Sequence, residues 1–146
     1  ASRSSMHTLA VEFERLQDYL ALMQVRMGPR LQFALDLPHD LRETPVPPLL
    51  LQPLVENCIA HGLEPKIEGG RIDVQAARDG AVLVLTVRDS GIGLRPSAAA
   101  QGTRFGTQQV RDRLAALYGP RASFALGPAA DGGTEARIIL PLNGST

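Results

Sequence analysis

Cysteine, lysine and net charge are scarce in this 146-residue chain, and tryptophan is absent. Cys58 is the single cysteine and sits in a helical apolar pattern, which excludes disulfides and cysteine-based metal sites. The formal net charge is +0, so composition implies no basic face for nucleic acid. Lys66 is the single lysine beside many arginines, which reads as a codon bias of the genome rather than a function. No apolar run approaches the roughly 20 residues that a membrane span needs. No signal peptide is read at the start, so the expected setting is cytosolic. Internal repeats and low-complexity tracts are lacking, and so is a Gly-x-x-x-x-Gly-Lys-Ser/Thr motif, which excludes a P-loop.

What is present is ordinary in bulk. Apolar content of 44% and charged content of 21% suit a soluble globular chain of one domain, with its own core and room for an appended helix. Leu9, Phe13, Leu16, Leu20, Met23 and Met27 recur in steps of four and three, which predicts an amphipathic N-terminal helix stopped by Gly28-Pro29. Two readings of that stripe stand equal: it docks on a partner helix outside the domain, or it covers the domain's own sheet. Leu31 to Leu37 alternates as a strand, and Pro38 to Pro48 is a proline-rich connection.

From Leu49 to Ala60 a second helix is predicted, with Leu50, Leu51, Leu54, Val55, Cys58 and Ile59 on one face. Glu56, Asn57 and His61 fall on the other. Pro53 comes early enough to kink this helix without forbidding it, and Gly62 is placed to end it. Ile72 to Ala77 and Ala81 to Arg88 form a hairpin through Asp79-Gly80. Val82 to Val87 is apolar on both alternating sets, which predicts a central strand covered on both faces. Thr107 to Tyr118 is helical, and strands near Ser123 to Leu126 and Glu135 to Leu140 flank a turn at Asp131-Gly132-Gly133. The expected class is α+β: a two-layer α/β sandwich, with a mixed, largely antiparallel sheet and helices on one face.

Several of these residues are suited to nucleotide chemistry. Asp89 closes a buried strand, where a carboxylate can accept the exocyclic amine of adenine; a plain Asp-Ser-Gly turn would look the same. Gly91 and Gly93 would let the backbone approach the ring. The amide oxygen of Asn57 suits Mg²⁺, which prefers oxygen ligands and keeps several waters. Glu56 beside it is placed to orient or deprotonate a nucleophile in phosphoryl transfer. The plainer account makes both of them solvent-face residues. His61, one turn beyond Asn57, can reach phosphate oxygens or simply cap the helix end. Gly102 and Gly106 precede a helix, where backbone amides make an anion site, although an ordinary glycine connection shares that pattern.

Leu51 to Gly62, Asp89 to Gly93, Gly102 to Leu114 and Gly132-Gly133-Thr134, in this order, resemble the catalytic ATP-binding domain of sensor histidine kinases. The likeness is greatest to the LytS-like class, whose N box typically reads Leu-x-Pro-Leu-Val-Glu-Asn-Ala-Ile-x-His-Gly. It extends upstream through Glu12, Tyr19-Leu20 and Arg26. The resemblance implies the Bergerat fold, with ATP and Mg²⁺ as cofactors. It implies Asn57 as the Mg²⁺ ligand, Glu56 as candidate base and Asp89 as the adenine acceptor. Gly91 and Gly93 would shape the adenine pocket, Gly102 and Gly106 would form the phosphate-side lid, and Thr134 would close the base pocket. His61 would be a supporting contact to phosphate.

Departures from the pattern bear on lid geometry and nucleotide affinity more than on fold. Ala60 stands where the family has lysine; Arg104 and Thr107 replace a glycine and a leucine; Gln109 replaces an asparagine. No His-Phe-x-Phe-Asn-type phosphoacceptor motif is found, and His7, His39 and His61 do not match one. The division expected is therefore 1–28, an N-terminal helix ending a dimerisation and phosphoacceptor region, and 29–146, the ATP-binding catalytic domain. The implied partners are the phosphoacceptor histidine domain of the same parent protein, a response regulator and a second copy in a full-length homodimer. The domain would be cytoplasmic, with its parent in the bacterial inner membrane. An anti-sigma-type serine kinase and a nucleotide-free interaction module of the same fold are the alternatives.

Overall fold

The computed structural model describes residues 6–63, 67–90, 104–129 and 132–142, with backbone alone for 61, 62 and 104–106. It opens with a short strand β1 (His7–Thr8) and helix α1 (Leu9–Met27). Thr8 caps α1 by accepting the Val11 amide at 3.3 Å, and Gly28, at φ 65°, turns the chain out of it. All six residues of the predicted stripe are buried in the same core as the sheet. Each such side chain contributes about 1.5–3 kcal/mol by leaving water. The stripe therefore covers the chain's own sheet, while Leu22 and Val25 point outward, 66% and 83% exposed.

Strand β2 (Leu31–Asp36) follows, then β3 (Pro45–Val46), helix α2 (Gln52–Asn57) and the hairpin β4 (Gly70–Asp79) and β5 (Val82–Asp89), which turns at Gly80 with φ 63°. Helix α3 (Arg104–Tyr118) leads to β6 (Ser123–Pro128) and β7 (Thr134–Pro141). The five-stranded sheet runs β2-β4-β5-β7-β6, with β2 parallel to β4 and every other pair antiparallel. This is the expected mixed, largely antiparallel α+β sandwich.

One expectation fails in detail. Strand β5 is central, but only Leu83, Leu85, Val87 and Asp89 are buried; Val82, Val84 and Thr86 are half-buried and Arg88 is exposed. The buried set shares one core with residues of all three helices, and the opposite face stays open. Its apolar members lie in cross-strand rows instead, Val84 between Ala77 and Ile139. Two-residue strands leave no periodicity to read, so the antiparallel ribbon that pairs β1 with β3 of the proline-rich connection was not expected. Hydrogen bonds from the Leu9 amide to the Thr44 carbonyl (2.8 Å) and from Ala10 to Arg42 (2.9 Å) extend it. The start of α1 is thus stitched to the segment that leads into α2.

Candidate nucleotide site

Helix α2 carries the most distinctive residues. It starts at Gln52, with Pro53 in its first turn, where the missing N–H would have had no helical acceptor. Gly62 does not end it. After Asn57 the backbone widens into a π-helical turn, Cys58–Leu63, that runs through Gly62 and delivers Leu63 to the core. The Cys58 amide, reaching both the Leu54 and Val55 carbonyls, marks the transition. A π turn changes the angular spacing of side chains and recurs at functional sites.

Glu56 is exposed and accepts a hydrogen bond from the Gln52 side chain at 3.1 Å. Tyr19 of α1 lies beside it: burial first, and then the Glu56 charge, raise the Tyr19 phenol above its ordinary value, against Arg26, which lowers it. Asn57, the last residue of α2, is half-buried. Its amide nitrogen is buried and has no hydrogen-bond partner among the described residues. A buried amide without a partner costs about 1–3 kcal/mol. His61 lies in the π turn, and its side chain falls outside the described atoms.

Asp89 ends β5 on the helix-covered face and is 2% exposed. The thiol of Cys58, next in chain to Asn57, hydrogen-bonds to it. Burial, then the charge of Asp89 and this hydrogen bond, push the Cys58 thiol well above its ordinary value, so it stays protonated and donates. The π turn and the end of β5 are thereby joined. In register, Asp89 stands between Ile72 on β4 and Thr134 on β7. Ser90 is locked next to it: its amide donates to the Arg71 carbonyl (3.0 Å), and its hydroxyl accepts from the Arg71 amide (2.8 Å).

Gly133 was read from sequence as part of a turn and of the Gly132-Gly133-Thr134 stretch, with no role of its own. In the structure its backbone lies so close to Asp89 that a Cβ would overlap the Asp89 carbonyl oxygen. Thr134 follows, half-buried. The signal was a glycine just before a strand, which marks a close backbone approach.

Gly91, Gly93 and Gly102 lie outside the described residues. Gly106 does not precede the helix as expected but falls in its first turn, because α3 begins at Arg104, three residues earlier than its apolar pattern suggested. Thr107 is buried in α3, and Ala60 and Gln109 are exposed. Farther along α3, Arg113 donates to the carbonyls of Pro48 (2.6 Å) and Leu49 (2.8 Å), holding a turn in which Leu49 has φ 57°. Beside it opens an apolar groove of about 770 Å³, lined by Pro47, Pro53, Val110, Ala116 and Leu117; none of the expected site residues lines it.

This α/β sandwich, with a carboxylate at a buried strand end facing an Asn-bearing helix, defines a class of nucleotide-binding domain. The chain belongs to the histidine kinase-, DNA gyrase B- and HSP90-like ATPase family, whose pattern it matches over residues 47–144. It is thus an ATP-binding domain. Among curated proteins it is 32% identical over 138 residues to the sensor histidine kinase BtsS of Escherichia coli, covering 94% of this chain and 24% of that protein. It is 31% identical over 132 residues to the sensor protein LytS of Staphylococcus haemolyticus, covering 84% and 23%. The chain spans about a quarter of the length of these relatives. The catalytic domain of the histidine kinase ThkA shares the fold with a TM-score of 0.67, at 14% identity and 94% coverage of both chains. Among the described residues no helix is long and apolar enough to cross a membrane.

Proposed function

We propose that this chain is the ATP-binding catalytic domain of a two-component sensor histidine kinase. It would bind Mg-ATP and pass the γ-phosphoryl to a histidine that these residues do not supply, from which a response regulator takes it. The observation that carries the reading is the pairing of two groups brought together by Cys58. One is Asp89, a buried carboxylate at a strand end; the other is Asn57, whose buried amide lacks a partner. In this reading Asp89 accepts the exocyclic amine of adenine, Thr134 closes the base pocket, and Asn57 meets the phosphate end. Gly91 and Gly93 shape the adenine pocket, Gly102 and Gly106 belong to the phosphate lid, and His61 supports the phosphates. The first division of the chain, 1–28, is the end of a dimerisation region, and 29–146 is the catalytic domain of a homodimeric parent anchored in the bacterial inner membrane.

Mg²⁺ fits the donor set. No group of three or more His, Cys, Asp or Glu side chains able to hold a metal occurs among the described residues. The Asn57 carboxamide would hold the ion by its oxygen together with the phosphates of the nucleotide, as Mg²⁺ commonly binds. Bound there, the ion would neutralise charge that develops on the transferred phosphoryl. The Asn57 nitrogen, buried beside it, donates to a phosphate oxygen. Glu56, exposed and bonded to Gln52, would accept the proton of the incoming imidazole.

Titration of the chain with a fluorescent ATP analogue, with and without Mg²⁺, tests the reading. Saturable Mg-dependent binding that falls in both Asn57→Ala and Asp89→Asn is expected, with no covalent label from γ-labelled ATP on the isolated chain. Absence of binding at millimolar nucleotide would overturn it, and labelling of the chain would overturn its lack of an acceptor.

A further inference from the structure

Helix α2 lacks a side-chain cap of its own: Leu51 occupies the cap position, and no acidic residue stands in the first turn. The acceptor comes from another helix. Glu12 of α1, 2% exposed, takes the Leu51 amide on Oε2 at 2.8 Å, while its Oε1 meets His7 Nε2 at 2.7 Å. A carboxylate at the start of a helix is stabilised by the helix dipole, and a buried one is held tightly when both oxygens are bonded.

Glu12 does not act alone on this flank. Tyr19 and Arg26 follow it at seven-residue steps, which places all three on one side of α1. Tyr19 feels the charge of Glu56, at the opposite end of α2 from Leu51. His7, at the far end of the clasp, belongs to the β1–β3 ribbon that is stitched to the lead-in of α2.

We infer that Glu12 is a positioning residue for the phosphate end of the site, holding α2 from outside so that Asn57 and Glu56 stand where the metal-bound phosphates require them. The inference rests on the functional reading above. Its distinguishing consequence is selectivity. Asp89 is fixed by the sheet and Asn57 by α2, so loosening the clasp affects the magnesium-bound phosphates and spares the adenine contact.

The test compares the unaltered chain with Glu12→Gln, which keeps the shape and removes the charge, and with His7→Gln at the more exposed end of the clasp, 15% against 3% for the side chains. Each is titrated with the fluorescent ATP analogue plus Mg²⁺ and with ADP without Mg²⁺, and folding is followed by circular dichroism. The expected result for Glu12→Gln is an about fivefold weaker affinity with Mg²⁺, unchanged Mg-free ADP binding and a native spectrum, as for loss of a charge-assisted hydrogen bond. His7→Gln gives a smaller loss of the same selectivity. If Glu12→Gln unfolds, His7→Gln alone decides between selective loss and none. Unchanged Mg-ATP affinity in the folded variants, or equal loss with and without Mg²⁺, overturns the positioning role. If the unaltered chain binds no nucleotide, the functional reading falls and the inference with it; if it binds and the variants match it, the inference falls alone.

Discussion

The two ends of the proposed nucleotide site are built to different standards of rigidity. The adenine end is backbone-determined. Asp89 is flanked in register on both sides, Ser90 is locked by two hydrogen bonds to Arg71, and Gly133 lies directly against the Asp89 carbonyl. The phosphate end is carried by a six-residue helix and a π turn, held by Glu12 at the first amide, by the Cys58 thiol to Asp89 and by Leu54, Val55, Ile59 and Leu63 in the core. Recognition of a base needs a fixed edge. Phosphoryl transfer needs groups that meet metal and phosphates, and in the proposed reading side chains of α2 supply them.

The comparison breaks most sharply at Gly133. Gly133→Ala drives a methyl group into the Asp89 backbone and parts β5 from β7 at the adenine end. Thermal unfolding should show a loss of about 1–3 kcal/mol, with nucleotide affinity lost along with it; a native melting temperature would show that the strand ends tolerate separation. Asp89→Asn comes next. Losing a charged acceptor should cost adenine-nucleotide affinity about 1.5–3 kcal/mol, roughly tenfold or more, with or without Mg²⁺. Equal affinities in the titration would remove Asp89 from adenine recognition.

Asn57→Ala sharpens the contrast from the other end. Its buried amide nitrogen has no partner among the described residues, so removing it relieves a cost of about 1–3 kcal/mol and unfolding stability should not fall. Mg-dependent affinity should nevertheless drop about tenfold, a loss comparable to one strong contact. Parallel loss of stability and affinity would assign Asn57 to the core.

The smallest expected effect lies in alkaline stability. The folded chain keeps the Cys58 proton above the ordinary thiol value of 9.0, whereas the unfolded chain sheds it there. Stability is therefore whole below about pH 9 and falls as pH rises toward the raised folded value. Tyr19 and Tyr118, both raised above 10.0, extend that loss to higher pH. Urea unfolding at pH 7.5 and pH 10 should show a smaller drop for Cys58→Ala than for the unaltered chain; equal drops would dissociate the thiol from Asp89.

Much of this was legible in the chain itself, for reasons that differ by element. The α1 stripe, the β4–β5 hairpin and the helix holding Val110 and Leu114 follow directly from periodicity and turn chemistry, because burial on one face repeats at the period of the backbone. Glu56, Asn57 and Asp89 stood out because polar groups interrupt otherwise apolar elements. What escaped depends on contacts distant in sequence. Glu12 was noticed only as part of the upstream likeness, and its contact exists only because residue 51 arrives beside it. Cys58 fitted the apolar face of α2, yet the π turn brings its thiol to Asp89. Val82 and Val84 looked buried because β-branched residues suit strands whether or not a second layer covers them.

The parallel pairing of β2 with β4 has a consequence for the order in which the molecule assembles. Two pairings are local, the β4–β5 hairpin around Gly80 and the β6–β7 hairpin, whereas β2 reaches β4 across α2 and β5 reaches β7 across α3. Such non-local closures are entropically slow, so the two hairpins should form before β2 joins β4 and before β7 joins β5. The adenine edge needs β5 beside β7, so it is completed only with the second of these closures.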